Sequence, residues 1–239
     1  FDQLTAPEES HFMNWSKPFV QLETTRGCFN TCAFCVSGGE KPVRTLSIDA
    51  IRQRLQTIHR HGIQNVRVLD RTFNFNPRRA KELLNLFLEF HPHIRFHLEI
   101  HPALLSEELK AELQQLPEGL LHLEAGIQSL RKPVLEQCRR LGKLSDALDG
   151  LQFLCSLDNM ETHADLIAGL PLYRLNEIFE DILTLAEYQA GEIQLESLKL
   201  LPGTEMRRRA EELGIRYSPL PPYEVLHTRE ISTSELQVA

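Results

Sequence analysis

No apolar run in this sequence approaches the roughly 18 residues needed to cross a bilayer, so a membrane-spanning helix is excluded. Basic residues are in deficit: 26 Lys and Arg stand against 33 Asp and Glu, a formal charge of −7. That argues against a general polyanion binder and leaves room only for a local basic groove. Solenoid-type repeats are missing. Cysteine is scarce and odd in number, at Cys28, Cys32, Cys35, Cys138 and Cys155, with no leader-like stretch before the first. A secreted disulfide framework is therefore not expected; a metal or redox site in a reducing, cytoplasmic setting is. An initiating Met is also missing. Phe1 opens the chain, so the expectation is the catalytic middle of a longer protein. What is present is ordinary globular usage, 42% hydrophobic and 25% charged, which rules out disorder, collagen and coiled coil. At 239 residues and about 150 per domain, one large domain or two small ones would fit.

Strand and helix signals alternate. Strands are expected at 19–24, 65–70, 94–100, 120–128, 161–167 and 192–201. Helices are expected from Ser47 to a stop at Gly62, from the cap Asn76 with Pro77 at the first turn, at 106–116, across 132–157, at 176–188 and at 204–213. Six successive βα units imply an α/β fold with a parallel sheet and outer helices, a partial (β/α)6 barrel of TIM type. The division expected is 1–18 as a lead-in from a preceding domain, 19–214 as the core, and 215–239 as an extended C-terminal stub punctuated by Pro219, Pro221 and Pro222.

Buried parallel strands usually read as continuous apolar runs, and these do not. Phe96, Leu98 and Ile100 alternate with His97, Glu99 and His101; Leu121, Leu123, Ala125 and Ile127 alternate with His122, Glu124, Gly126 and Gln128. Val20 and Leu22 alternate with Gln21 and Glu23, and His163 and Asp165 share one face. An antiparallel sheet with one wet face would give the same alternation. Here helices intervene between the strands, so the apolar face belongs under them and the polar face lines a barrel lumen. Sites of this kind lie at the C-terminal ends of the strands.

The sharpest motif is Cys28-Phe29-Asn30-Thr31-Cys32-Ala33-Phe34-Cys35, in the loop after the first strand. Structural zinc needs four ligands, and a fourth would have to be a distant Cys or a His such as His11. A four-cysteine cubane is one cysteine short here, so three thiolates would leave one iron open to a small molecule. Cys138 (with Val134, Leu135 and Leu141) and Cys155 (with Leu151 and Leu154) lie on apolar helical faces and are expected in the core.

The Cys28-x-x-x-Cys32-x-x-Cys35 spacing, with Phe34 before the last Cys, resembles the signature of the radical S-adenosylmethionine enzymes. The resemblance implies a 4Fe-4S cluster on the three thiolates, with S-adenosylmethionine on the open iron. It further implies reductive cleavage to a 5′-deoxyadenosyl radical that abstracts hydrogen from a substrate. Glu124-Ala125-Gly126-Ile127-Gln128-Ser129, Arg140, Asp165-Leu166-Ile167-Ala168-Gly169-Leu170-Pro171 and Leu200-Leu201-Pro202-Gly203-Thr204 resemble the branch of coproporphyrinogen oxidase and Elongator-type enzymes. Asp70-Arg71-Thr72-Phe73-Asn74 and Pro221-Pro222-Tyr223-Glu224-Val225-Leu226 are similar to a bacterial subgroup with an N-terminal cobalamin-binding domain and an uncharacterised C-terminal extension. No Asp-x-His-x-x-Gly cobalamin signature occurs, so cobalamin would be held by a domain outside this chain.

By the same resemblance, Phe34, Asp70, Glu99, Gln128, Arg140 and Asp165 are the candidate S-adenosylmethionine contacts. Arg140 suits the carboxylate, Gln128 or Asp165 the ribose hydroxyls, Phe34 the adenine, and Asp70 the amino group. Gly38-Gly39-Glu40 resembles the family's amino-group element but sits in the cysteine loop, where it reads as a flexible turn. Glu23, His97, His101, Glu124 and His163 are candidate substrate-facing groups. The Arg207-Arg208-Arg209 run reads as a solvated helix face. The implied partners are a small-molecule substrate and an electron donor such as flavodoxin or ferredoxin; neither a membrane nor nucleic acid is expected. An RNA-modifying enzyme of the same superfamily and a non-catalytic Fe-S or zinc module are the rival readings.

Overall fold

The computed structural model describes residues 4–239. In chain order, a 3-10 turn (Pro7–Glu9) leads to β1 (Val20–Leu22), β2 (Thr25–Arg26) and β3 (Arg44–Thr45). Next come α1 (Ile48–Arg60), β4 (Asn65–Val68), α2 (Pro77–Leu88), β5 (Arg95–Ile100), α3 (Glu107–Gln115) and β6 (Leu121–Gln128). The chain continues through α4 (Lys132–Gln137), α5 (Leu144–Cys155), β7 (Glu161–Ala168), α6 (Leu175–Glu187) and β8 (Glu192–Ser197). It closes with α7 (Glu205–Arg208), β9 (Arg216–Tyr217), β10 (Val225–His227) and α8 (Thr233–Leu236).

The helices start where the sequence supplies caps. Ser47, Asn76, Ser106 and Thr204 each accept a hydrogen bond from a first-turn backbone N–H. Their apolar stripes then bury themselves: Ile51, Leu55 and Ile58 on α1, and Ala80, Leu83, Leu84 and Phe87 on α2, are essentially inaccessible. The surface they meet is the sheet, ordered β1-β4-β5-β6-β7-β8 with every neighbouring pair parallel. Phe87 of α2 stacks on Phe96 of β5 with ring centroids 4.0 Å apart. Each strand adds beside its predecessor and the sheet does not close, so the expected partial barrel is the observed one. Phe96, Leu98, Ile100, Leu121, Leu123, Ala125 and Ile127 are buried toward the helices, while the intervening polar residues are half-buried on the other face.

Several boundaries differ from expectation, each for a local reason. β1 stops at Leu22 because the next backbone donors turn to a side chain: Asp70 Oδ1 accepts from Thr24 N and Thr25 N, both at 2.8 Å. β8 stops at Ser197. Leu198 N still bonds Ala168 O, but Leu200 N bonds Tyr223 O, in the C-terminal segment. The helix expected at 204–213 is a single turn, α7, continued by looser turns to Gly214. The region 132–157 breaks into α4 and α5, with Arg139 and Gly142 at positive φ in the connection. Residues 215–239 are no extended stub. β9 and β10 form an antiparallel pair, and Ile215, Val225 and Ile231 are buried in a second apolar cluster with Leu198, Leu200 and Met206. Residues 1–3 of the expected lead-in lie outside the described residues. The rest of that segment is held to α1, where Glu8 and Arg54 form a buried ion pair at 2.8 Å.

Two further contacts fix the upper rim. Asp181 of α6, itself buried, accepts from Leu130 N (2.8 Å), Arg131 Nε (2.8 Å) and Tyr173 Oη (2.6 Å), pinning the chain just after β6. Gly150 lets α5 press on the 3-10 turn after β5 (Pro102–Leu104): a Cβ there would sit 2.1 Å from the Pro102 carbonyl oxygen. In a free helix, Gly→Ala gains about 1 kcal/mol. Here Gly150→Ala is expected instead to cost about 1–3 kcal/mol by overpacking backbone against backbone. Chemical unfolding reads this directly, and a variant more stable than the parent refutes the close approach.

Candidate active site

The cysteine loop is a closed structure. At its base, β2 and β3 pair antiparallel, Thr25 with Thr45 and Arg26 with Arg44. Inside it, Cys28 N donates to Glu40 O, Gly39 N to Asn30 O at 2.8 Å, and Ala33 N to the Cys138 carbonyl at 2.8 Å. Gly38 is required by contact: a Cβ would lie 2.5 Å from Cys32 O. Gly38-Gly39-Glu40 is thus the closure of the loop and not a flexible turn.

Cys28, Cys32 and Cys35 are free thiols that line one cavity at the C-terminal ends of the strands. Phe34, Arg71, Thr72, Glu99, His101, Glu124, Gln128, Arg140 and Asp165 complete most of its wall. A larger cavity of about 900 Å3 lies between the N-terminal segment, the β1 edge and α1. It contains no cysteine, so the chemistry is assigned to the smaller one. Arg140 occupies the break between α4 and α5. Its guanidinium donates to Gly126 O and lies 3.9 Å from Cys32 Sγ. Neighbouring Arg139 faces outward to Glu205. Burial pushes the Cys32 thiol up, and Arg140 opposes that. Gln128 has φ 73° at an irregularity in the β6–β7 ladder. Gly126 below it has no Cβ to meet the Gln128 amide nitrogen, which would be 2.6 Å away.

Carboxylates outnumber cations in this wall: Glu99, Glu124 and Asp165 face Arg71 and Arg140. Burial raises Glu99 to about 7, although Arg71 stands 3.3 Å away and opposes the shift. Burial, and then the charge on Glu124, raise Asp165 to about 9. Glu124 is also desolvated, but the adjacent His163, His97 and Asp165, with His97 Nε2 at 2.8 Å, outweigh that and hold it low. His101 is driven down to about 4 by burial and by Arg140, so it is neutral; its Nε2 lies 3.1 Å from Leu141 O and its buried Nδ1 has no partner.

The structure brings together Cys28, Cys32, Cys35, Phe34, Glu99, Gln128, Arg140, Asp165, Glu124 and His101. It removes Asp70. That carboxylate is buried, absent from the wall and used up by Thr24 and Thr25, so it organises the end of β1 and is not free for an amino group. Glu23 pairs with Arg26 at 2.6 Å and faces the larger cavity. His97 and His163 are not part of that wall; each lies two residues before a wall residue of its own strand, Glu99 on β5 and Asp165 on β7. Arg71, Thr72 and Asn30 are wall residues that sequence reasoning passes over. Their signal is position alone, just past β4 and inside the cysteine motif. Cys138 is inaccessible, its thiol raised to about 12 by burial, and Cys155 packs on the main core, as expected.

The family described as the Radical SAM superfamily matches residues 22–185, well over half of the chain. The chain belongs to the radical SAM superfamily. A cobalamin-dependent radical SAM methyltransferase, TokK of Streptomyces tokunonensis, is 23% identical over 211 residues, covering 84% of this chain and 31% of that protein. The tRNA-2-methylthio-N(6)-dimethylallyladenosine synthase of Psychrobacter arcticus is 26% identical over 201 residues, covering 78% and 38%. Among solved structures, the radical S-adenosylmethionine methyltransferase TsrM from Kitasatospora setae superposes with a TM-score of 0.71 at 17% identity, over 91% of this chain and 46% of that one. The cobalamin-dependent enzyme OxsB gives 0.62 at 14% identity, over 91% and 40%. This chain therefore spans less than half the length of each of these proteins. Among the described residues no helix is long and apolar enough to cross a membrane.

The wall fits what a radical SAM core must hold. The loop offers three thiols and no fourth cysteine, and Asp165 Oδ1 is a buried acceptor without a partner. The carboxylate excess suits a ligand with an ammonium and a sulfonium. It also has a cost in the empty protein. A carboxyl whose pKa is raised on folding keeps its proton while the unfolded chain loses it. Stability therefore falls as pH rises from the ordinary range near 4.5 through about 7 for Glu99. Glu99→Gln is expected to flatten that interval and raise Tm at pH 8. Parallel Tm-against-pH curves for parent and variant would remove the assignment.

Proposed function

We propose that this chain is the catalytic core of a radical SAM enzyme whose substrate is a polar molecule. The observation that carries it is the convergence of Cys28, Cys32 and Cys35 on a cavity that also holds Arg140, Gln128 and Asp165. The three thiolates would hold a 4Fe-4S cluster, and the wall would hold S-adenosylmethionine. Together those groups supply a radical able to take a hydrogen atom, chemistry that no side chain provides. Arg140 binds the carboxylate, at the cost of its bond to Gly126 O. Glu99 replaces Asp70 as the group facing the amino nitrogen. Gln128 and Asp165 take ribose hydroxyls, and Phe34 borders the adenine. Arg71 and Glu99, paired across the mouth, keep the ligand oriented. The thiols must lose their protons to bind iron, and Arg140 beside Cys32 favours the thiolate.

The names of the relatives support a methyl-transferring use of this core, with cobalamin supplied by a domain outside the chain. The methylthiotransferase relative favours the second reading, an RNA substrate. Reductive cleavage needs a low-potential electron donor, and the reading proposed is a cytoplasmic protein served by a flavodoxin or ferredoxin.

Anaerobic reconstitution with iron and sulfide is expected to give a brown protein that releases 5′-deoxyadenosine under reduction. Cys32→Ala should lose both. Arg140→Ala should keep the cluster but weaken S-adenosylmethionine binding roughly ten- to hundred-fold, the loss of a charged hydrogen bond of about 1.5–3 kcal/mol. A colourless parent holding stoichiometric zinc on those thiols would sink the reading.

A further inference from the structure

Below the cysteine cavity, the lumen holds a histidine cluster that the proposed cofactor chemistry does not use. His97 of β5, Glu124 of β6 and His163 of β7 lie on adjacent strands and point to one place. His97 Nε2 is 2.8 Å from Glu124 Oε2, and His163 Nε2 is 3.7 Å from the same oxygen. All three donor atoms fall within 4.8 Å of one another. Donors around a tetrahedral ion at about 2.0–2.1 Å stand about 3.3 Å apart, so the two measured separations bracket that spacing.

One donor is left over. His163 is 5% exposed, and its Nε2 makes no hydrogen bond. Asp165 Oδ1, also without a hydrogen bond, stands 3.4 Å from that nitrogen. The far side of the ring is occupied: His163 Nδ1 is 2.6 Å from His122 Nε2, and His122 Nδ1 is 3.3 Å from Glu161 Oε2. Arg95 Nη2 stands between the last two, donating to His122 Nδ1 at 3.3 Å and to Glu161 Oε2 at 2.5 Å, so a cation on His163 Nε2 would shift the His163 proton to Nδ1, toward His122, and the His122 proton to Nδ1, toward Glu161. Outer partners of this kind fix the tautomer and orientation of metal-bound histidines. His97 is held by stacking on His122, with centroids 4.7 Å apart and planes 14° from parallel.

We propose that His97, Glu124 and His163 bind a divalent cation of the Zn2+ or Fe2+ type, with an open position facing the cavity. Two imidazoles and one carboxylate on three neighbouring strands make a one-sided ligand set. Glu124 lines the cysteine cavity as well, so the ion would lie at the border of the two sites and could take an oxygen or nitrogen donor of the substrate.

The test must exclude iron on the cysteines. In the full-length protein carrying Cys28→Ala, Cys32→Ala and Cys35→Ala, dialysis against Zn2+ is expected to leave one ion per chain, with an X-ray absorption shell of nitrogen and oxygen only, at about 2.0–2.1 Å. Adding His97→Gln or His163→Gln should weaken Zn2+ binding at least ten-fold; His122→Gln, an orienting partner, should weaken it about 10–100-fold. A sulfur shell, or no zinc above the His163→Gln level in a protein with parental circular dichroism, overturns the proposal. If the histidine variants do not fold, the absorption shell of the triple-cysteine protein decides alone. Failure here leaves the reconstitution result for the thiols untouched, and failure there leaves this site standing.

Discussion

Helices cover only the outer face of the six-stranded sheet, and that one-sidedness governs what the inner face must do. Every second strand residue is committed to a helix: Phe96, Leu98, Leu121 and Leu123 disappear under α2 and its neighbours. The residues between them have no apolar partner layer and meet in a space too narrow for bulk water to solvate them all. His97, Glu99, His122, Glu124, His163 and Asp165 must then satisfy one another or a ligand. They do so incompletely, and the orphaned atoms lie where ligands would enter. In most folds unpaired buried polar groups are a defect; in a one-sided barrel they follow from the architecture and are its functional resource.

The charge of the space sharpens this. Carboxylates on β5, β6 and β7 lie close enough to repel, and two guanidinium groups at the rim do not balance them. Protonation relieves the repulsion in the empty protein, and a cationic occupant relieves it better. Affinity and pH dependence are therefore linked through the same residues. The acidic overall balance of the chain bears little on this, because most of that charge is solvated at the surface.

Features carried by local periodicity can be read in the sequence. The alternation in 96–101 and 121–128, the Asn76-Pro77 helix start and the cysteine spacing each need only neighbours to be interpreted. Features that depend on distant backbone cannot. Asp70 lies two residues past β4, where a ligand-binding carboxylate is expected, and nothing nearby reveals that Thr24 and Thr25, 46 and 45 residues away, need its oxygens. Asp181 sits inside an amphipathic helix, yet it pins the loop that carries Gln128 toward the cavity. Glu23 reads as lumen-facing by alternation, but Arg26, one turn on, captures it. The break that swings Arg140 inward depends on positive φ at Arg139, a residue with no obvious preference for it. The C-terminal prolines suggest an extended stub; burial of Val225 and Ile231 against Leu198 decides otherwise.

The tied-down cysteine loop has a bearing on how a cluster could arrive. Small zinc domains fold around their metal, so binding must repay the ordering of the chain. Here a two-strand ladder closes the loop, Gly38 packs on the Cys32 carbonyl, and Ala33 is anchored to Cys138 of another segment. The position of the three thiols thus rests on protein contacts beyond the cysteines themselves, so a group held there would repay less ordering of the chain than in a small zinc domain.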